Sequence, residues 1–104
     1  MSIALTSITI ANQTLRNRYI MGSMHTGLEE LPKGFEAMAA YYAERAKGEV
    51  ALIITGGVSP NAQGQLWPGA IMLQDVSLVD KHKIITTAVH NEGGKIALQI
   101  LHAG

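Results

Sequence analysis

The sequence predicts an α/β fold, a β-hairpin followed by β-α-β-α-β. Three observations lead there. Short apolar runs at residues 19–21, 50–55 and 95–101 are each followed or flanked by glycine. Two segments between them carry apolar residues at helical spacing. The middle run is apolar on both faces, as in parallel sheets covered on both sides. Strands alternating with helices imply parallel pairing through crossover connections.

The elements follow in order. Ile8 and Ile10 alternate with Thr9 and Ala11, and Asn12-Gln13 turns the chain into residues 14–17, a short hairpin. Tyr19-Ile20-Met21 reads as a buried strand ending at Gly22. Residues 26–34, with Gly27, Gly34, Pro32 and two glutamates, read as a loop. Phe35, Met38, Ala39, Tyr42 and Ala46 then form the apolar face of a helix. Lys33, Glu36, Ala40, Glu44 and Lys47 fall largely opposite, and Gly48 stops the helix. Residues 50–55 form the second strand, which Gly56-Gly57 ends, and a long connection runs over residues 59–75. Ser77 is placed to cap a second helix with the stripe Leu78, His82, Ile85 and Val89, closed by Gly93-Gly94. Residues 95–101 form the third strand. Side chains alternate along it, so Ile96, Leu98 and Ile100 face the helices and Ala97, Gln99 and Leu101 the other side. Two architectures satisfy this order: a doubly wound sheet, and the opening of a (β/α)8 barrel.

Composition narrows the function. Eight basic and eight acidic side chains cancel, without the basic patch of a nucleic-acid partner. The chain has no cysteine, which excludes disulfides, thiolate metal sites and a cysteine nucleophile within it. No apolar stretch approaches the roughly 20 residues of a membrane span. Residues 1–12 lack the pattern of a signal peptide. The expectation is a cytoplasmic protein with neither membrane nor nucleic-acid partners. Charged residues are 15% of the chain, below the usual ~25%, which suggests that part of the surface is covered.

In parallel α/β folds ligands sit outside the carboxyl ends of strands. Those ends are residues 22–26, 56–59 and 99–104. Gly56-Gly57 admits a ligand close to the backbone, or simply turns the chain. Gln99 points away from the helices, toward a barrel centre or the opposite sheet face. Its amide donates and accepts at once, which suits the alternating edge of a flavin pyrimidine or, equally, a neighbouring loop backbone. His25 and His102 follow the first and third strands, but no third ligand accompanies them, so no metal site is expected. His82 and His90 lie on the second helix as packing or surface residues. The phosphate-loop and dinucleotide glycine fingerprints are absent, as is a nucleophile elbow.

The run Leu15-Arg16-Asn17-Arg18-Tyr19-Ile20-Met21-Gly22-Ser23-Met24 resembles the opening of the Old Yellow Enzyme group. Its continuation His25-Thr26-Gly27-Leu28-Glu29-Glu30 is similar to the bacterial NADPH 2,4-dienoyl-CoA reductases. Tyr42-Ala43-Glu44-Arg45-Ala46, Ile54-Thr55-Gly56-Gly57 and the stretch from Glu92 to Gly104 fit in the same order. The resemblance implies that residues 1–104 are the incomplete N-terminal portion of an FMN-binding TIM barrel, cut after its third strand. It implies that Ser23, Met24 and His25 contact FMN, that Gly57 lets the isoalloxazine ring approach, and that Gln99 bonds the pyrimidine edge. His25 stands where many relatives have threonine or cysteine, and His102 reads as structural. The implied reaction is reduction of a conjugated C=C bond of a 2,4-dienoyl-CoA thioester by NADPH through FMN. FAD and an iron–sulfur cluster are implied only for the full-length enzyme. No catalytic residue falls within the chain, so the isolated piece is expected to be inactive and to self-associate through its open strand edges. The alternatives are a non-catalytic, self-associating half-barrel with a remnant flavin or phosphate site, and an unrelated doubly wound domain.

Overall fold

In the computed structural model, which describes residues 2–104, the chain opens with a 3-10 turn at Ile3–Leu5 capped by the Ser2 hydroxyl. The hairpin follows: β1 (Ile8–Ile10) pairs antiparallel with β2 (Gln13–Leu15). Ile10 faces Gln13, so the turn residues are Ala11 and Asn12, one position earlier than expected. Both have positive φ, 47° and 66°. That pair of conformations matches the twist of the flanking strands, and asparagine tolerates it well.

β3 (Ile20–Met21), β4 (Leu52–Val58) and β5 (Lys95–Ile100) form a parallel sheet in the order β3-β4-β5. α1 (Gly34–Lys47) joins the first two strands and α2 (Val79–Asn91) the last two. Met38, Ala39, Tyr42 and Ala46 of α1 gather with Ile85 and Val89 of α2 around Ile53 of β4. Ile53 and Val89 are fully buried. Both helices therefore cover the same face of the sheet. A doubly wound sheet carries helices on both faces and reverses its strand order. Sequential parallel strands with helices on one side are the repeating unit of a (β/α)8 barrel.

The end of β2 ties the bottom of this layer together. Arg16 donates to the carbonyls of Ala46, Val50 and Glu92, at the C-terminal ends of both helices. Asn17 is buried, donates to the Glu49 carbonyl at 2.6 Å and accepts from the Tyr19 amide at 2.9 Å. Glu49, next to the Gly48 cap, takes the left-handed conformation at φ 79° that a C-terminal cap requires, while Gly48 stays at φ −75°.

Four expectations are corrected. β3 is not a buried strand: as an outer strand it leaves Tyr19 and Ile20 53% and 48% exposed. Gly56-Gly57 does not end β4, which runs on to Val58. Ser77 does not cap α2. Asp75 accepts from the Ser77 amide at 3.0 Å, starting a 3-10 turn at Val76–Leu78 that leads into α2 at Val79. Ile100 does not pack on a helix: it is 72% exposed, because α2 reaches only Ile96 and part of Leu98 along the outer strand. Among the described residues no helix is long and apolar enough to cross a membrane.

Candidate functional site

The carboxyl ends of the three parallel strands meet at one end of the sheet, and small residues let them meet. The chain leaving β3 passes directly over β4: a Cβ on Gly56 would lie 2.6 Å from the Met24 carbonyl oxygen and 3.3 Å from His25 Nδ1. The chain leaving β5 does the same one residue on, where a Cβ on Gly57 would lie 2.4 Å from the Leu101 side chain. The connection after β4 folds back beside it. The Ser59 amide donates to the Ile71 carbonyl at 3.2 Å, and the Leu73 amide donates to the Ser59 carbonyl at 2.9 Å. His102 packs against Gly64 in that connection, and the Ala103 amide donates to the Gly64 carbonyl at 2.9 Å. These contacts seat His102 against the connection after β4.

The sequence-predicted residues divide into two kinds. Ser23, Met24, His25 and Gln99 are exposed, on the tails of β3 and on β5. Gly57 is buried, and Leu101 fills the space a side chain there would take. None of the five is a lysine or an arginine. Their chemistry is an amide, a hydroxyl, an imidazole and a thioether. That set fits the polar edge and apolar body of a heteroaromatic ring.

His25 does not stand free. Its ring meets Trp67 edge-on, with centroids 5.5 Å apart, and Trp67 Nε1 donates to Glu30 Oε1 at 2.9 Å. Met24 is held similarly: the Tyr41 hydroxyl reaches its sulfur at 3.6 Å, and the Arg45 guanidinium lies 3.6 Å over the Tyr41 ring. Beneath the β3 tail, Met24, Thr55, Gly56, Tyr42, Ile85 and His82 help line a cavity of about 20 Å³, room for about one water molecule. Burial raises the Tyr42 phenol above its ordinary value, partly offset by a backbone hydrogen bond from Gly56. Burial lowers His82, whose Nε2 lies 3.3 Å from the Met72 carbonyl and whose ring meets Phe35 edge-on.

Four residues of this site, Thr55, Tyr42, Trp67 and Glu30, were not singled out by sequence. Trp67 offered the clearest signal: it is the only tryptophan, placed in a connection rich in glycine and polar residues. Among the described residues no group of three potential ligands could hold a metal ion.

Comparison with known proteins places this geometry. Residues 5–104 match the model of the NADH:flavin oxidoreductase / NADH oxidase family. The N,N-dimethylglycine/sarcosine dehydrogenase of Chromohalobacter salexigens is 35% identical over 93% of this chain and 14% of its own length. The NADPH dehydrogenase of Bacillus subtilis is 33% identical over 95% of this chain and 30% of its own length. The structure of the old yellow enzyme homologue from Zymomonas mobilis superposes with a TM-score of 0.82 at 31% identity, over 97% of this chain and 28% of that one. The chain thus spans between about a seventh and a third of the length of these relatives.

Proposed function

The chain belongs to the NADH:flavin oxidoreductase / NADH oxidase family, and on that premise we propose that it supplies one wall of an FMN site in an NADPH-dependent ene-reductase. The carrying observation is the convergence of the β3 and β5 tails across Gly56 and Gly57, with Ser23, Met24, His25 and Gln99 left accessible at that end. FMN, when bound, supplies hydride transfer between a nicotinamide and an activated carbon–carbon double bond. The chain's own residues bind and orient. Gln99 offers a donor and an acceptor to a pyrimidine edge. His25, braced by Trp67, offers a ring nitrogen as a hydrogen-bond partner, and Met24 offers a polarisable apolar contact. Gly57 serves by letting Leu101 close against β4.

The substrate in this proposal is a 2,4-dienoyl-CoA thioester, on the likeness of residues 25–30 to the dienoyl-CoA reductases. FAD and an iron–sulfur cluster belong to the same proposal only as parts of a longer enzyme. We assign no proton donor to this wall, so the 104 residues alone are expected to turn nothing over.

Anaerobic titration of the full-length gene product tests this reading. NADPH is expected to bleach the visible flavin band, and a 2,4-dienoyl-CoA to restore it. A flavin that NADPH leaves oxidised refutes the reductase. Reoxidation by simple enones and not by the thioester refutes the substrate alone. One observation favours a second reading, a non-catalytic half-barrel that associates with itself: Ile20 and Ile100, on the two outer strands, are 48% and 72% exposed. Concentration-independent monomeric mass of the 104-residue chain by light scattering rules that out.

A further inference from the structure

Between Ile54 and Gly57, β4 has one residue too many for its partner. Ile54 faces Ala97 and Gly57 faces Gln99, so Thr55 and Gly56 together oppose Leu98. Such a bulge leaves its extra residue outside the ladder, and it is rare between parallel strands. Here the Thr55 side chain bonds across the irregularity. The Thr55 hydroxyl donates to the Gly56 carbonyl at 2.9 Å and accepts from the Gln99 amide at 3.1 Å. Thr55 is only 9% exposed, so water is a poor substitute for its hydroxyl.

We propose that Thr55 is a positioning residue: through the Gln99 backbone amide, its hydroxyl fixes where the Gln99 side chain stands at the carboxyl end of β5. Thr55 does not touch the ligand in this account. Without its hydroxyl the Gln99 N–H loses this bond, and the end of β5 is held less firmly against the bulge. Gln99 is then no longer fixed at the position where the proposed flavin edge needs it. The inference rests on the FMN reading given above.

The test compares the full-length gene product with Thr55→Val, Thr55→Ala and Thr55→Ser. The first readout uses flavin-free protein: hydrogen exchange of the Gln99 amide. Protection is expected to be lost in the valine and alanine forms and kept in the serine form. The second readout is FMN titration by fluorescence quenching, with the absorbance spectrum of the bound flavin. Valine and alanine are expected to weaken FMN binding about tenfold or more and to shift the spectrum, the effect of one misplaced polar contact. Serine, which keeps the hydroxyl, is expected to restore both. A merely structural role for Thr55 would lower stability without moving the spectrum. Two hydroxyl-free forms keep the comparison alive if one of them fails to fold. If wild type binds FMN and the folded valine or alanine form binds it equally, with an unchanged spectrum, this inference falls and the flavin reading stands. If wild type binds no FMN, the flavin reading falls and takes the inference with it, whatever Gln99 exchange shows.

Discussion

Arg16 joins the C-terminal ends of both helices, and its removal has a calculable cost. Its Nη1 donates to the Glu92 carbonyl at 2.9 Å, and its Nη2 donates to Val50 at 3.0 Å and to Ala46. Ala46 lies in the last turn of α1, and Glu92 is the C-cap of α2. A cation there bonds carbonyls at and just past the helix ends, of which that of Ala46 also accepts from the Glu49 amide, and opposes the negative end of each helix dipole. A net hydrogen bond is worth about 0.5–1.5 kcal/mol. Arg16 is exposed, so water replaces much of what is lost and the lower end applies to each bond. A charge at a helix end adds about 0.3–1 kcal/mol at the surface. Arg16→Ala is therefore expected to lower unfolding free energy by about 2 kcal/mol. Arg16→Lys separates the two contributions: it keeps the charge but cannot fork to three carbonyls, and is expected to lose about 1 kcal/mol. Urea denaturation of the folded proteins, with unchanged m-values, measures both. A lysine form as stable as wild type refutes the fork geometry. An alanine form that loses less than about 0.5 kcal/mol refutes the clamp altogether.

Gly56→Ala puts a Cβ 2.6 Å from the Met24 carbonyl oxygen, and a backbone neighbour cannot rotate away. A loss of about 1–3 kcal/mol is expected, as for other overpacked sites, together with weaker FMN binding because the β3 tail must lift. Stability and FMN affinity both at wild-type level would show that the tail does not lie as described. His82 supplies a pH dependence. Its folded-state pKa is lowered below the ordinary 6.5 by burial, so the unfolded chain takes up its proton first as pH falls. Its contribution is fully present above pH 6.5 and is lost as pH drops through the folded value. Urea midpoints are expected to fall below that pH in wild type and to fall less steeply in His82→Gln. Parallel pH profiles for the two proteins would remove His82 as the source.

How much of this was legible in the sequence depended on where the partners lay. α1 was readable because its apolar face recurs within one segment and Gly48 marks its end. β4 was readable as a buried strand, but its length was not. Gly56-Gly57 looks the same whether it turns the chain or bulges a strand, and only the register against β5 distinguishes them. The segment from Leu15 to Arg18 carried a family likeness without a visible role. Arg16 and Asn17 bond backbone carbonyls more than 30 residues away, and carbonyls leave no mark in a sequence. Ser77 reads as a cap because serine is a common one. Asp75, two residues earlier, makes the bond instead. Gln99 was correctly placed off the helix face. Its exposure was not foreseen, since burial there depends on what lies across the sheet and not on strand alternation.

The two adjacent glycines serve the wall in different ways. Glycine near a ligand is commonly read as room for that ligand. At Gly56 the room is taken by the Met24 carbonyl, and at Gly57 by the Leu101 side chain. Neither glycine opens toward solvent as a bare platform. Each draws the tail of a neighbouring strand down onto β4, one from each side. The separation between Met24–His25 and Gln99 is then set by how closely those tails can settle, and a methyl group on either glycine widens it. The bulge acts on the same spacing from within, since Thr55 holds the Gln99 amide while Gly56 receives Met24. A single substitution at residue 55, 56 or 57 is therefore expected to change the fit of a planar ligand without touching any atom that contacts it.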